Sequence, residues 1–425
     1  MRWIIFLVAF LLGCGAMQFF LARQKNLNPS APAKVTPEKE PSAARYIPPQ
    51  GLNVEMQAFE KAVLFLGDLQ EADGHWSSKK HSQAPEFQNE NGDIALTSLA
   101  TYTLLLTARG KNVNRDAVAR AKKGMEWLNA RLQPDGRVAL IDQPGEPVVA
   151  QLLAGMAFLQ SATMSTRPEL KQSGTRVVRY GIMEMASPEG GWGPTPKSKE
   201  IRADISALGV FVYRSGLLED VKYSDSKERD VIRKVENEIE KNIKNGMTRL
   251  LTDAPSMEGV YGAASDKRAP DWDATVGGLL GQVLMLVPPS KTQSTVRYVF
   301  GELDKATNRY VEIQKKMEWG AKGEGYRSQT LWLNTMAVIY LFGEQTFEFK
   351  TWSDVAKKDI LEQQRRDGGW DVAGEDARRG EIWRAAMHAM AITLMAPQPP
   401  PPADPSLDPN GAPTDPGAPP PAPGK

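Results

Sequence analysis

The feature that most constrains this chain is a short glycine-containing turn that recurs six times. The turns are Asp73-Gly74-His75-Trp76, Asp135-Gly136-Arg137-Val138, Gly190-Gly191-Trp192, Glu258-Gly259-Val260-Tyr261, Gly323-Glu324-Gly325-Tyr326 and Gly368-Gly369-Trp370, about 45 to 70 residues apart. Self-similarity at such a period marks one supersecondary unit copied along the chain, each copy unable to bury its apolar face alone. Any fold of this chain must therefore stack about six similar units.

The stretches on either side of each turn differ in kind. Before the first turn, in 59–70, Val63, Leu66 and Leu69 recur at i, i+3 with Phe65 beside them, while Glu60, Lys61 and Asp68 take the opposite face. That spacing predicts an amphipathic helix; 117–132 and 355–364 read the same way. After the turns, 94–107, 148–161, 205–215, 274–286, 329–342 and 382–395 are nearly uncharged and mostly rich in Ala, Gly, Ser and Thr. A helix apolar on every side is buried on every side. Alternation of the two kinds predicts an all-α fold, an α/α toroid of about six helix pairs with the buried helices inside. Period-2 strand patterns are lacking.

The first repeat carries a recognisable signature. Lys61-Ala62-Val63-Leu64-Phe65-Leu66-Gly67-Asp68-Leu69-Gln70-Glu71-Ala72-Asp73-Gly74-His75-Trp76 resembles the repeat of squalene and oxidosqualene cyclases, in which a glutamine is followed by Gly-x-Trp. Lys123-Gly124-Met125-Glu126-Trp127-Leu128 with Gln133 and Gly136 is a near match with one residue inserted and Val138 in place of the tryptophan. Gln364, Gly368 and Trp370 keep its final part. The resemblance covers roughly 56–396. It implies a terpenoid-cyclase and prenyltransferase type toroid, and a structural role for the signature glutamine and tryptophan in tying outer helices together.

The ends of the chain read differently. Residues 3–22 are apolar apart from Gln18 and are flanked by Arg2, Arg23 and Lys25. About 20 helical residues are enough to cross a hydrocarbon core. Leu11-Leu12-Gly13-Cys14 looks like a lipidation site, but the apolar run continues past it, which favours a retained anchor over 1–23. The export-like start points to a body on the cell-envelope, periplasmic side; the positive charges after the span point to a cytoplasmic one. Residues 24–50 read as a disordered spacer. In 397–425 proline dominates, which predicts a disordered, extended tail. The folded body is then 51–396.

Composition narrows the chemistry. A net charge of +1 carries no footprint for nucleic acid. Cys14 is the one cysteine and lies in the apolar run, so the body has no thiolate, and the Asp, Cys and His zinc set of protein prenyltransferases is not available. His75 and His81 read as loop residues rather than metal ligands, and neither a metal nor a cofactor is expected.

Within the resemblance, cyclases protonate an isoprenoid double bond with the middle aspartate of an Asp-x-Asp-Asp-Thr-Ala type motif. Here Asp271-Trp272-Asp273-Ala274-Thr275 places Asp273 at the acid's position, with Asp271 before it, but Ala274 replaces the third aspartate. The plainer expectation is helix capping, since Asp93, Asp204 and Asp273 stand alike before buried stretches, with Glu146, Ser328 and Glu381 at comparable places. A toroid polysaccharide lyase would need an arginine and a tyrosine base, for which Tyr326, Arg327, Tyr261 and Arg268 are candidates. A glycosidase would need paired carboxylates. Trp272, Trp332 and Trp383, with Tyr261 and Tyr326, would line a cavity for an apolar ligand if they are not simply core. Without a complete catalytic set, the expectation is a membrane-anchored binding or scaffolding protein, its partner an apolar small molecule or another protein. The charged stretch 222–244 reads as a solvated outer helix.

Overall fold

The structure is a computed structural model that describes residues 52–108, 113–164, 168–220, 226–251, 259–266, 269–313, 315–316, 327–372, 374 and 376–396. The chain divides into two units, Met1–Met395 and Ala396–Lys425, and every helix described belongs to the first. The apolar run at 3–22, the spacer at 24–50, the tail at 397–425 and the turn at 323–326 lie outside the described residues. Among the described residues no helix is long and apolar enough to cross a membrane.

Among the described residues twelve long helices follow one another. The first six are α1 (Val54–Asp68), α2 (Glu90–Leu106), α3 (Arg115–Asn129), α4 (Pro147–Thr163), α5 (Pro168–Met183) and α6 (Ala203–Asp220). The rest are α7 (Ser226–Arg249), α8 (Trp272–Leu284), α9 (Pro289–Phe300), α10 (Arg327–Phe342), α11 (Phe347–Glu362) and α12 (Glu381–Met395). The even-numbered helices pack side to side in chain order, and α12 closes back onto α2, giving a ring of six. Each odd-numbered helix packs on the inner helix that precedes it, α3 on α2 through α11 on α10, and α1 completes the outer layer by packing on α12. The only sheet among the described residues is a two-residue antiparallel ladder, β1 (Leu303–Asp304) with β2 (Arg309–Tyr310).

The inner layer is buried as its composition predicts. In α4, residues 147–160 are buried without a break, as are 382–392 of α12 and 274–282 of α8. Small residues make this possible where the turn aromatics lie over the inner helices. A Cβ on Gly278 would strike the Tyr261 ring, and one on Gly209 would meet the Trp192 ring at 2.5 Å.

The signature residues are structural. Trp76, Trp192 and Trp370 are buried and donate their indole N–H to the backbone carbonyls of Leu66, Gly181 and Ile360 at 2.7, 3.0 and 2.7 Å. Gln70 Nε2 donates to Gly74 O at 2.8 Å and across to Arg120 O of α3 at 2.9 Å. Gln364 does the same to Gly368 O and to Ala58 O of α1, at 3.0 and 2.9 Å, so the last repeat is stitched to the first. The turn glycine is required at these places: Gly74 has φ +98°, and a Cβ there would lie 2.7 Å from Lys123 O of the neighbouring outer helix.

The helix starts correct one expectation. In α2, α6 and α8 the helix begins before the acid expected to cap it, whereas Glu146 stands at the N-cap of α4 without a side-chain cap bond and Glu381 is the first residue of α12. Asn89 accepts from Gly92 N at 3.1 Å and Asp271 from Ala274 N at 2.6 Å, whereas Asp93, Asp204 and Asp273 fall inside the first turn. The cap must reach the third N–H of the helix, and of the two aspartates flanking Trp272 only Asp271 is placed to do so.

Candidate functional site

The inner helices enter the ring from one end, and that end forms a mouth. Their N-terminal dipoles favour acidic side chains, and several of these acids find donors there. Asp93 accepts from Ser78 N and Oγ at 2.6 and 2.8 Å. Glu381 lies 3.0 Å from His81 Nδ1 and 3.3 Å from Arg365 Nη2. The His81 hydrogen bond, aided by Arg365, holds the Glu381 carboxyl below its ordinary range against partial burial.

The centre of the mouth is bridged by Arg379, whose side chain is only 2% exposed. Its Nη2 and Nε donate to Glu146 Oε2 at 2.6 and 3.0 Å, and its Nη1 donates to Gln329 Oε1 at 3.1 Å. Asp204 Oδ2 lies 3.8 Å away, and the guanidinium carbon sits 4.2 Å from the centroid of the Trp383 ring. Arg202 closes the network, reaching Glu146 Oε1 at 3.1 Å and both oxygens of Asp204 at 3.1 and 2.8 Å. Burial opposes the charge on Asp204, but Arg202 and Arg379 outweigh it and hold the carboxyl low.

These contacts join helices that are not ring neighbours. Arg379 leads into α12 and Glu146 into α4, with α2 between them; Gln329 of α10 donates to Asp204 O of α6 at 3.2 Å, past α8. The network therefore crosses the ring interior. Deeper in, Phe211 of α6 meets Trp332 of α10 edge-on at 5.3 Å, again across the ring, and Phe211 stays partly exposed. The segment bearing Arg379 is anchored below by Asp376, which accepts from Ser328 N and Oγ at 3.1 and 2.8 Å. Burial pushes the Asp376 carboxyl up, against the pull of Ser328 and Arg384.

The residues singled out in the sequence are dispersed. Trp272, Trp332 and Trp383 are buried, and only Trp383 belongs to the Arg379 network. Asp271 is a cap and Asp273 lies in the first turn of α8. Tyr261 is buried at its turn, its hydroxyl accepts from Gln282 Nε2 at 2.7 Å, and burial pushes it up to about 12. Tyr326 and Arg268 lie outside the described residues, and α10 begins at Arg327. His75 stacks on Trp127 at 5.2 Å and contacts Asp73 at 2.5 Å. Among the described residues no group of three His, Cys, Asp or Glu side chains is placed to hold a metal. Sequence reasoning missed Arg379, Arg202 and Gln329. Asp376-Ala377-Arg378-Arg379 is a short charged helix just before α12, and nothing in its sequence separates the buried arginine from the exposed one.

The ring can be set beside solved structures at this point. An inactive variant of an α-1,6-mannanase from Salegentibacter, in complex with α-1,6-mannotriose, is 10% identical over 81% of this chain and 99% of its own, with a TM-score of 0.53. The chain shares the fold of α/α-toroid enzymes. A family 76 glycoside hydrolase from a bovine Bacteroides thetaiotaomicron strain is 10% identical over 81% of this chain and 78% of its own, with a TM-score of 0.50. A type II terpene cyclase from Scytonema, in complex with merosterolic acid A, is 14% identical over 81% and 97%, with a TM-score of 0.48. No protein-family profile and no curated protein matches the chain. At such identities the likeness concerns the fold.

The electrostatics of the mouth give a pH prediction. Asp204 has a lowered folded pKa, so its contribution is present above its unfolded value and is lost as pH falls through the folded one. Glu381 carries the same sign. Urea unfolding should show stability falling between about pH 5 and pH 3, and Asp204→Asn should flatten that limb. An unchanged slope would remove Asp204 from the account.

Proposed function

We propose that this chain is a binding and scaffolding module built on an α/α toroid and tethered to a membrane through residues 1–23, rather than a cyclase or a hydrolase. The observation that carries this reading is Arg379, buried across the mouth between Glu146, Gln329 and Asp204. A substrate entering along the axis from that end meets a satisfied ion-pair network instead of a cavity.

The catalytic readings lack their chemistry at the same place. Glycoside hydrolysis needs one carboxyl protonated to serve as acid. The two carboxylates that converge, Glu146 and Asp204, share two guanidiniums, and Asp204 is held low by them. A class II cyclase needs a supported acid facing a dry cavity; the Asp271 carboxylate is occupied by Ala274 N, and Ala274 stands where a third aspartate would support Asp273. A lyase base working near neutral pH is a poor match for Tyr261, which is pushed up to about 12.

One observation favours a second reading, a carrier of an apolar small molecule. Phe211 and Trp332 meet in the ring interior, and Phe211 is not fully covered.

Incubation of the full chain, in micelles, with squalene and separately with α-1,6-mannotriose tests both. Mass spectrometry of the products should show no turnover of either compound. Turnover of squalene that falls in Asp273→Asn, or of mannotriose that falls in Glu146→Gln, would overturn the proposal. Squalene retained unchanged in native mass spectra, and lost in Phe211→Ala, would select the carrier reading.

A further inference from the structure

Among the described residues eight large apolar side chains are exposed, and their distribution over the ring is uneven. Inner helices start at the mouth and outer helices run back to it, so inner C-termini and outer N-termini share the opposite end. Val54 opens α1, Val113 stands just before the N-cap of α3, Met164 caps the end of α4, Leu286 follows α8 and Phe347 opens α11. Leu303 of β1 and Val311, just past β2, belong to a hairpin fixed to the same end. Its Tyr310 ring lies 5.6 Å from that of Phe342, the last residue of α10, and Arg309 lies over the Phe347 ring at 4.7 Å. Met183, at the C-terminus of α5, is the one of the eight on the mouth side. Exposed apolar residues scattered singly need no explanation, but seven of these eight gather at one end.

Leu286 carries the clearest mark. Its φ is +56°, in the left-handed region where a helix end usually places glycine. The next inner helix, α10, is followed by Gly343 at φ +88°. A side chain in that conformation crowds its own carbonyl, and Leu286 gains no burial in return, being 53% exposed. The fold would be served better by glycine there, so the leucine answers to something outside the fold.

Charge and connectivity say what that is. Exposed basic side chains stand among the apolar ones: Arg115 at the start of α3, Lys291 at the start of α9, Lys350 at the start of α11, and Lys305 and Arg309 on the hairpin. Several acids at this end are already bonded: Glu55 to Lys357 at 2.8 Å, Asp116 to Arg120 at 2.9 Å and Asp304 to Thr307 at 2.7 Å, while Glu169 of α5 stays exposed. The apolar run at 3–22 also leads, through 24–50, into the start of α1, so the chain enters the ring at this same end.

We infer that the end of the ring opposite the mouth is a docking face for the surface of a bilayer containing anionic lipid. The inference rests on the proposed tether, which it deepens: the body lies on the membrane that holds residues 1–23. Isolated apolar side chains enter the boundary between headgroups and acyl chains, and lysine and arginine beside them meet the lipid phosphates. Docked in this way, the mouth with Arg379 faces water, and a partner reaches it from the aqueous side.

The test uses the full chain with Cys14→Ser and one fluorophore, placed by Val113→Cys, Leu303→Cys or Arg378→Cys, in vesicles of phosphatidylcholine and phosphatidylserine. Some of the lipid carries a spin label close to its headgroup, which quenches the fluorophore on contact. The expected result is that vesicles float with the protein, that labels at 113 and 303 are quenched and that the label at 378, on the mouth side, is not. Leu286→Gly should reduce quenching at 113 while raising the unfolding midpoint in micelles, because glycine relieves the left-handed backbone. Lys305→Gln should lower the ratio of docked to undocked protein about fivefold. Flotation without quenching at 113 and 303 would overturn the docking face and leave the tether standing, whereas protein that does not float would overturn both. Equal quenching at 378 would overturn the orientation. Quenching at 113 unchanged by Leu286→Gly would overturn the role given to that leucine. Self-quenching between copies at 113 or 303, without quenching by the lipid, would show that a second copy covers the face and would overturn the inference.

Discussion

Replacing Arg379 with methionine should lower the free energy of unfolding by about 3–5 kcal/mol. The substitution keeps an apolar stem but removes both of the donors that Arg379 offers Glu146 Oε2, the donor to Gln329 Oε1 and the cation over the Trp383 face. Acceptors left without a partner in a dry site cost more than the pair contributed when intact. The control is the neighbouring residue. Arg378 pairs with Glu86 at 2.6 Å, but its side chain is 47% exposed, and Arg378→Met should cost less than about 1 kcal/mol because an exposed pair is screened by water and salt. Adding Glu146→Gln to Arg379→Met should recover part of the loss, since it removes the charge left behind. Denaturant unfolding of the four proteins measures all of this. If Arg379→Met proved as mild as Arg378→Met, the mouth would have to be wet, and the proposed binding role would lose its main support.

Trp76→Ala should cost about 3–5 kcal/mol, the second large effect. The indole is fully buried and its N–H is bonded to Leu66 O at 2.7 Å. Truncation leaves both a cavity and an unmatched carbonyl. The second repeat supplies the comparison. Val138 stands at the equivalent place, and its N–H, with that of Ala139, is bonded to Gln151 Oε1 at 2.9 and 3.1 Å. The tie there is backbone to inner-helix glutamine, and Val138→Ala should cost only about 1 kcal/mol. Comparable losses in the two variants would mean that neither the buried volume of the indole nor its turn bond carries the stability assigned to them.

Much of this architecture was legible because its causes are local. The inner helices announce themselves by a lack of charge on any face, and α4 and α12 are buried on all of theirs. The amphipathic stretches became outer helices, and the signature Gln70, Gln364, Trp76 and Trp370 took the tying roles that the resemblance implied. Boundaries were less legible. Asp271-Trp272-Asp273 offers two possible caps, and the choice rests on backbone geometry at the ring mouth. Gln133 matches the signature glutamine with one residue inserted, yet its amide reaches only Arg131 O at 3.3 Å, and Gln151 from an inner helix makes the tie instead.

The candidate sites were legible least, for a physical reason. A buried ion pair depends on partners distant in sequence: Arg379 and Glu146 are 233 residues apart, and His81 and Glu381 are 300 apart. No periodicity records such a meeting. The amino-acid sequence by itself determined the number of repeats, the two kinds of helix and the turn between them, since hydrophobic pattern and glycine backbone freedom act within a few residues. Only the tertiary structure decided that the ring closes α12 onto α2 and that Arg379 rather than Arg378 is buried across the mouth. Those outcomes depend on which side chains the closed ring brings together, and on how water is excluded where they meet.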